Sequence, residues 1–189
     1  MRKLILQMGI SMDGMVAAPD GSHPWGDGAE DPAARSWKLK SYRAAGAHLM
    51  GRVTYQDMSR VWPNSEGDYA DVMNDIPKVV FSKTLRVADW PETRIARGDL
   101  AEEVEALKSE PGPDLIAHGG ASFARELNRL RLVDEHRLTV HPAAFGAGMP
   151  IFDGLEQRLH LELVESNVFR NGVAGNVYRP RPPLAQDAE

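Results

Sequence analysis

Small and hydroxyl-bearing residues follow three short apolar runs in this sequence, and two of these groups directly precede a helical pattern. Glycine lets the backbone approach a ligand closely, and the first turn of a helix presents unpaired N–H groups to anions. One such group alone is more typical of a turn or an N-cap. Because ligands of α/β proteins bind outside the carboxyl ends of the strands, the three together predict a site for a long anionic cofactor. The groups are Gly51-Arg52-Val53-Thr54, Ser82-Lys83-Thr84 and Gly119-Gly120-Ala121-Ser122.

Two of these groups also carry a positive charge. The guanidinium of Arg52 and the ammonium of Lys83 are the side-chain types that bind phosphates. A solvated surface lysine is the competing interpretation of Lys83. The sequence contains neither a GxGxxG fingerprint nor a Walker A motif, so the expected anion site is of a different kind.

Composition excludes several classes of protein. With 189 residues and 42% hydrophobic content, the chain is expected to form one globular domain with a proper core. A net charge of -5 disfavours a nucleic-acid or anionic-membrane surface, and the absence of cysteine excludes disulfide and thiolate chemistry. The apolar run near the N-terminus is too short for a signal peptide, and none reaches transmembrane length. We therefore expect a cytoplasmic protein with no nucleic-acid or membrane partner.

Alternating strand and helix patterns predict an α/β fold with a mixed, mainly parallel sheet of about eight strands. Residues 54–62 are predicted to form the helix of the first group, ending at Pro63. Asn171-Gly172 between two alternating runs predicts an antiparallel hairpin near the C-terminus. The predicted domain covers residues 1–180, and residues 181–189 are expected to form a disordered tail.

Five motifs follow one another along the chain: "ISMDGMVAAPDG", "GRVTY", "KVVFSKTL", "HGGASF" and "LVDEHRLTVHPAAFGAGMPIF". In this order they resemble the dihydrofolate reductase-like family. The closest branch contains the C-terminal reductase domain of the riboflavin-biosynthesis deaminase-reductase. The resemblance covers roughly residues 3–179 and implies a single-domain, three-layer fold, NADPH as cofactor and a homodimer.

The resemblance assigns the cofactor contacts residue by residue. Gly51, Arg52 and Thr54 would meet the pyrophosphate and adenosine side. Ser82 and Lys83 would lie at the 2′-phosphate, with Thr84 beside them. The pyrophosphate would be wrapped by the third group, and the nicotinamide would be bordered by the loop after the first strand. These last two sets are Gly119, Gly120, Ala121 and Ser122, and Val16, Ala17 and Ala18.

The catalytic carboxylate is not fixed by the resemblance. Dihydrofolate reductases carry an acidic residue five positions after a tryptophan that resembles Trp25, which indicates Glu30 with Asp27 and Asp31 beside it. A buried carboxylate with a raised pKa could assist proton delivery. A polar loop with an N-cap is the stronger competing interpretation. Asp13, which the family start also contains, and Asp57 are further candidates.

The resemblance implies an NADPH-dependent reductase of a planar nitrogen heterocycle of pyrimidine or pterin type. The resemblance also relates this activity to the 5-amino-6-(5-phosphoribosylamino)uracil reductase step of riboflavin biosynthesis. Trp25 and Trp37 are the candidate substrate-binding residues, although core packing explains Trp37 equally well. The alternatives are a nucleotide-binding module without catalysis and an anion-binding transferase. No histidine spacing indicates a metal site.

Overall fold

The computed structural model of the protein describes residues 1–22 and 30–183, and within them the chain forms ten strands and five α-helices. The strands are β1 (Leu4–Ser11), β2 (Met15–Ala17), β3 (Ala47–Gly51), β4 (Lys78–Phe81), β5 (Thr93–Ala96), β6 (Leu115–His118), β7 (Glu135–His141), β8 (Met149–Pro150), β9 (Leu161–Val168) and β10 (Ala174–Pro180). The helices are α1 (Pro32–Arg43), α2 (Arg52–Val61), α3 (Asp68–Asp75), α4 (Leu100–Ser109) and α5 (Ala121–Arg129), with a 3-10 turn at Trp62–Asn64.

Eight strands form one sheet in the order β5-β4-β3-β6-β1-β7-β10-β9. The six strands from β5 to β7 are parallel, and β10 runs antiparallel to both of its neighbours. The chain moves outward from β3 to β5 and then returns to place β6 between β3 and β1. In open α/β sheets, ligands bind at the carboxyl ends of the strands where the chain changes direction in this way. The predicted α/β fold with a mixed, mainly parallel sheet is confirmed.

Helices cover both faces of the sheet and produce three layers. On one face, Val104 and Leu107 of α4 and Phe123 and Leu127 of α5 pack on a core that contains Leu4 and other strand residues. The opposite face is covered by α1, α2 and α3, whose buried anchors are Leu39, Tyr42, Tyr55, Val72 and Met73. None of the helices in the described ranges is long and apolar enough to cross a membrane.

The structure adds elements that the pattern did not predict. Helix α3 lies in a segment expected to be a polar loop, and α2 starts at Arg52, two residues before the predicted start. The predicted hairpin joins β9 to β10, but its turn differs from a two-residue Asn-Gly turn. The amide of Gly172 donates to the carbonyl of Phe169 at 3.0 Å, and only Gly172 has a positive φ (82°) in this turn. This is a type I turn followed by a glycine bulge.

Candidate cofactor and substrate site

The three predicted anion-binding groups lie at neighbouring strand ends. Gly51 ends β3 and pairs with Phe81 of β4, so Ser82 follows directly beside it. On the other side of β3, Leu49 pairs with Ala117, which brings the end of β6 and the glycines after it next to Gly51. The fold therefore gathers residues 51–54, 82–84 and 119–122 at one edge of the sheet.

Two helix N-termini meet at this edge, and neither has a side-chain cap or an acidic residue in its first turn. They belong to α2, with Gly51 at its N-cap, and to α5, with Gly120 at its N-cap. The other helices differ. Asp31 and Asp99 cap α1 and α4, and α3 has Asp68 and another aspartate in its first turn. The α2 and α5 termini thus keep their N–H groups and positive dipole ends available for an external anion.

Thr54 connects these two N-termini. Its hydroxyl donates a hydrogen bond of 2.5 Å to the carbonyl oxygen of Gly119. The resemblance assigns Thr54 to the pyrophosphate and adenosine side of the cofactor, and in the structure its single hydroxyl proton has an acceptor within the protein.

Close packing explains why glycine occupies three positions at this edge. Gly120 has a φ of +100°, and a Cβ built there would lie 2.7 Å from Oγ1 of Thr54. A Cβ at Gly119 would collide with Cε of Met8, and one at Gly51 would lie 3.2 Å from Cβ of Phe123. Side chains at these positions would displace neighbours or strain the backbone, which keeps the backbone bare where the strands end.

The predicted cationic residues lie on the exposed rim of the edge. Arg52 donates to Oε1 of Gln56 at 2.8 Å within α2, and Lys83 is exposed. The hydroxyl of Ser82 accepts from the backbone amides of Thr84 (3.2 Å) and Leu85 (2.9 Å), so it orders the turn after β4. Ser122, in the first turn of α5, is exposed and Ala121 is buried.

The segment predicted to border a nicotinamide is anchored beside β1. Val16 and Ala17 are buried in β2, which pairs with β8. The amide of Ala18 donates to the carbonyl of Ser22 at 3.0 Å and closes a turn. Trp25 and Asp27, the other predicted loop residues of interest, lie outside the described residues.

Two of the candidate carboxylates have structural partners. Asp31 caps α1 by accepting from the amides of Ala33 (2.8 Å) and Ala34 (3.3 Å), and it also accepts from the amide of Arg170 at 3.0 Å. Partial burial raises the pKa of Asp31, but these backbone hydrogen bonds lower it by a larger amount, so the net shift of the pKa is downward. A carboxylate held ionised in this way is not a proton donor at neutral pH.

Asp13 joins the turn after β1 to the loop after β7. It accepts from the hydroxyl of Ser11 at 2.5 Å and from the amides of Phe145 (3.1 Å) and Gly146 (2.8 Å). The Ser11 hydrogen bond, with help from the Gly146 amide, lowers the pKa of Asp13. Both features favour an anchoring role over an acid role.

Glu30 differs because its partners are side chains on two helices. It forms ion pairs with Lys38 and, at 3.9 Å, with Arg35 of α1, and it accepts a 3.1 Å hydrogen bond from the Tyr69 hydroxyl of α3. Asp57, in contrast, is exposed on α2 and pairs with Arg60 at 3.7 Å.

The charges around Glu30 reach the carboxyl end of β7. His141 ends β7 opposite Ser11 of β1, and its pKa is lowered by burial and by the nearby charge of Lys38, with Glu30 acting in the opposite direction. Glu30, Lys38, Tyr69 and His141 thus form a polar cluster on the α1 and α3 side of the sheet. The neighbours of His141 along the chain do not indicate this cluster, because the members of the cluster are far apart in the sequence.

Trp37 packs away from this cluster, against the C-terminal hairpin. Its indole N–H donates to Oε1 of Glu165 at 2.8 Å, and its ring meets Phe169 edge-on with centroids 6.4 Å apart. Through these contacts Trp37 packs α1 against the β9–β10 hairpin.

A buried histidine pair supports the strand end that precedes the two glycines. Nδ1 of His48 (β3) lies 2.5 Å from Nε2 of His118 (β6), and Nε2 of His48 lies 3.0 Å from the carbonyl oxygen of Val72 in α3. The ring of Tyr42 packs against His118 with centroids 5.1 Å apart. Burial lowers the pKa of both histidines, that of His48 to about 4, so the pair is neutral at physiological pH.

The chain matches the family described as the RibD C-terminal domain over residues 2–174. Among curated proteins, the uncharacterized protein YyaP of Bacillus subtilis (strain 168) is 29% identical over 182 residues, which is 94% of each chain.

Three solved structures share the fold at 16% sequence identity. A pyrimidine reductase-like protein from Corynebacterium diphtheriae has a TM-score of 0.73 over 96% of this chain and 93% of that chain. A diaminohydroxyphosphoribosylaminopyrimidine deaminase/5-amino-6-(5-phosphoribosylamino)uracil reductase from Thermotoga maritima has a TM-score of 0.69 over 95% of this chain and 57% of that chain. Dihydrofolate reductase from Enterococcus faecalis, complexed with NADP(H), has a TM-score of 0.63 over 95% of this chain and 97% of that chain. Since the family match spans nearly the whole chain, the protein belongs to the RibD C-terminal domain family and has a dihydrofolate reductase-like fold.

Proposed function

We propose that this protein is an NADPH-dependent reductase that transfers a hydride to a planar nitrogen heterocycle of pyrimidine or pterin type. Its reaction would be related to the uracil reductase step named for the Thermotoga maritima protein. The observation that carries the proposal is the meeting of two uncapped helix N-termini, those of α2 and α5, at the carboxyl edge of the sheet.

The residues at this edge fit a dinucleotide cofactor. Free N–H groups at the starts of α2 and α5 suit a diphosphate, and the bare backbone at Gly119 and Gly120 permits its close approach. Lys83 supplies an exposed positive charge at the adjoining strand end for a 2′-phosphate. The Enterococcus faecalis reductase of the same fold is complexed with NADP(H), which supports NADPH as the cofactor.

The cofactor supplies the hydride, so the protein's task is to bind, orient and polarise the two reactants. The substrate would lie on the α1 and α3 side, where Glu30, Lys38, Tyr69 and His141 form the polar cluster. Opposite charges at Lys38 and Glu30 can hold the donor and acceptor groups on the rim of a nitrogen heterocycle. Burial lowers the pKa of His141 and keeps it neutral at physiological pH, so this residue adds no charge of its own to the cluster.

A turnover assay tests the reductase proposal. We expect NADPH absorbance at 340 nm to fall when the protein is mixed with a panel of oxidised or imine-containing pyrimidines and pterins. A member of the panel that is reduced in a protein-dependent manner would identify the substrate class. NADPH binding without turnover on any member would contradict the reductase proposal and favour the second candidate.

That second candidate is a nucleotide-binding module without catalysis. It is favoured by one observation: the carboxylates of Asp13 and Asp31 are occupied by backbone N–H groups, and Glu30 is paired with two cations. Carboxylates with such partners stabilise the fold and are poor proton donors.

A further inference from the structure

The hydrogen bond from Thr54 to Gly119 joins two segments that are far apart in the chain and adjacent in space. Thr54 lies in the first turn of α2, and Gly119 lies in the loop that leads into α5. The bond is therefore a direct link between the two N-termini proposed to bind a diphosphate.

The chemistry of the hydroxyl separates this link from a direct cofactor contact. A threonine hydroxyl has one proton and two lone pairs. In the structure the proton is donated to the Gly119 carbonyl at 2.5 Å. The diphosphate of a dinucleotide offers only acceptor oxygens at neutral pH, so the same hydroxyl cannot donate to both.

The link also fixes the backbone that follows it. A peptide unit is planar, so fixing the Gly119 carbonyl fixes the direction of the Gly120 amide in the same plane. Gly120 has a φ of +100° and only 2.7 Å between a built Cβ and Oγ1 of Thr54. The threonine side chain and the bare glycine thus interlock, and the α5 N-terminus starts directly after them.

We propose that Thr54 is a positioning residue: its hydroxyl holds the N-termini of α2 and α5 in the arrangement in which both serve one diphosphate. This inference rests on the proposed cofactor-binding function. It differs from the direct phosphate contact that the family resemblance assigns to Thr54.

The test compares Thr54→Val, Thr54→Ser and the parent, first without cofactor. The readout is the amide NMR signals and hydrogen-exchange rates of Gly120, Ala121 and Ser122. Because Thr54→Val removes the link, the signals of these amides should shift and their hydrogen exchange should become faster. Thr54→Ser keeps the hydroxyl and should therefore show the pattern of the parent. Ser59→Ala is the matched control, because it removes another α2 hydroxyl, one that donates within the same helix to the carbonyl of Gln56 (3.3 Å).

The second readout is affinity, measured by calorimetry. NADPH and ADP-ribose both contain a diphosphate, and Thr54→Val should lower the affinity for each of them roughly five- to tenfold, the size expected for one hydrogen bond. Adenosine 2′-monophosphate, which lacks the diphosphate, should change less than twofold. Thr54→Ser and Ser59→Ala should bind all three ligands like the parent.

Two results would overturn the inference. Unchanged amide signals in cofactor-free Thr54→Val, together with weaker NADPH binding, would show a direct phosphate contact. Shifted amide signals with unchanged NADPH affinity would show that the link is only structural. Failure of the proposed function is distinguishable from both, because in that case the parent protein itself would not bind NADPH.

Discussion

The buried pair His48 and His118 should make the stability of the fold depend on pH in a calculable way. Because the Val72 carbonyl can only accept, Nε2 of His48 carries the proton, and its bare Nδ1 accepts from Nε2–H of His118. Tyr42 of α1 packs against the pair, and Lys78 of β4 adds a repulsive positive charge. An additional proton would therefore place an unfavourable charge in this site.

The direction of the effect follows from proton binding in the two states. Unfolded histidine has a pKa near 6.5, whereas burial lowers the pKa of His48 to about 4 in the folded protein. Between these values only the unfolded chain takes up the proton, so the free energy of unfolding falls as the pH is lowered from about 6.5 to about 4. At about 1.4 kcal/mol per pKa unit, His48 accounts for a loss of roughly 3 kcal/mol, and His118 adds to it in the same direction.

The perturbation is His48→Gln, which keeps a donor and an acceptor but does not titrate in this range. Urea unfolding at pH 4.5 to 8 should show a less stable variant at pH 8 and a smaller loss of unfolding free energy at acid pH. His136→Gln is a matched comparison: His136 is equally buried, with a pKa lowered to about 4, but it contacts Asn128 of α5. His136→Gln should also reduce the loss of unfolding free energy at acid pH. Of the two variants, only His48→Gln should weaken the binding of NADPH. A His48→Gln protein that keeps the full acid loss of the parent would refute the reasoning.

Two further substitutions test individual residues of the proposed site. Lys83→Ala should weaken NADPH roughly tenfold and leave NADH nearly unchanged, because only NADPH carries the 2′-phosphate; equal losses in calorimetry would contradict this role. Glu30→Gln should lower kcat/KM for the heterocycle by roughly a hundredfold while NADPH affinity stays constant, because its charge orders Lys38 and Tyr69 on the substrate side. A parent-like kcat/KM in steady-state kinetics would remove Glu30 from the reaction.

The sequence predicted the strand ends well because each is a short apolar run followed by glycine or a hydroxyl residue. In a mainly parallel sheet such ends meet at one edge, so the grouping of Gly51, Ser82 and Gly119 followed from local pattern alone. The cap role of Asp31, stated as the stronger alternative, also follows from its position before Pro32.

Helix α3 could not be predicted in the same way, because its stability comes from distant residues. Three of its eight residues are aspartate and one is asparagine, types that favour turns over helix interiors. Its contacts come from elsewhere in the chain: Asn74 accepts from the Trp90 indole at 2.8 Å, and the Val72 carbonyl faces His48.

The contacts that organise the site were hidden for a related reason. Thr54 and Gly119 are 65 positions apart, and His48 and His118 are 70 positions apart. No spacing rule connects such pairs, and only the order of strands in the sheet brings them together.

The claim that the N-termini of α2 and α5 form one cofactor site is tested most directly by an NADPH titration followed through backbone amide signals. We predict micromolar binding, with the largest shifts at the amides of residues 52–54 and 120–122. No shifts up to millimolar NADPH, or shifts confined to other parts of the chain, would contradict the proposed site.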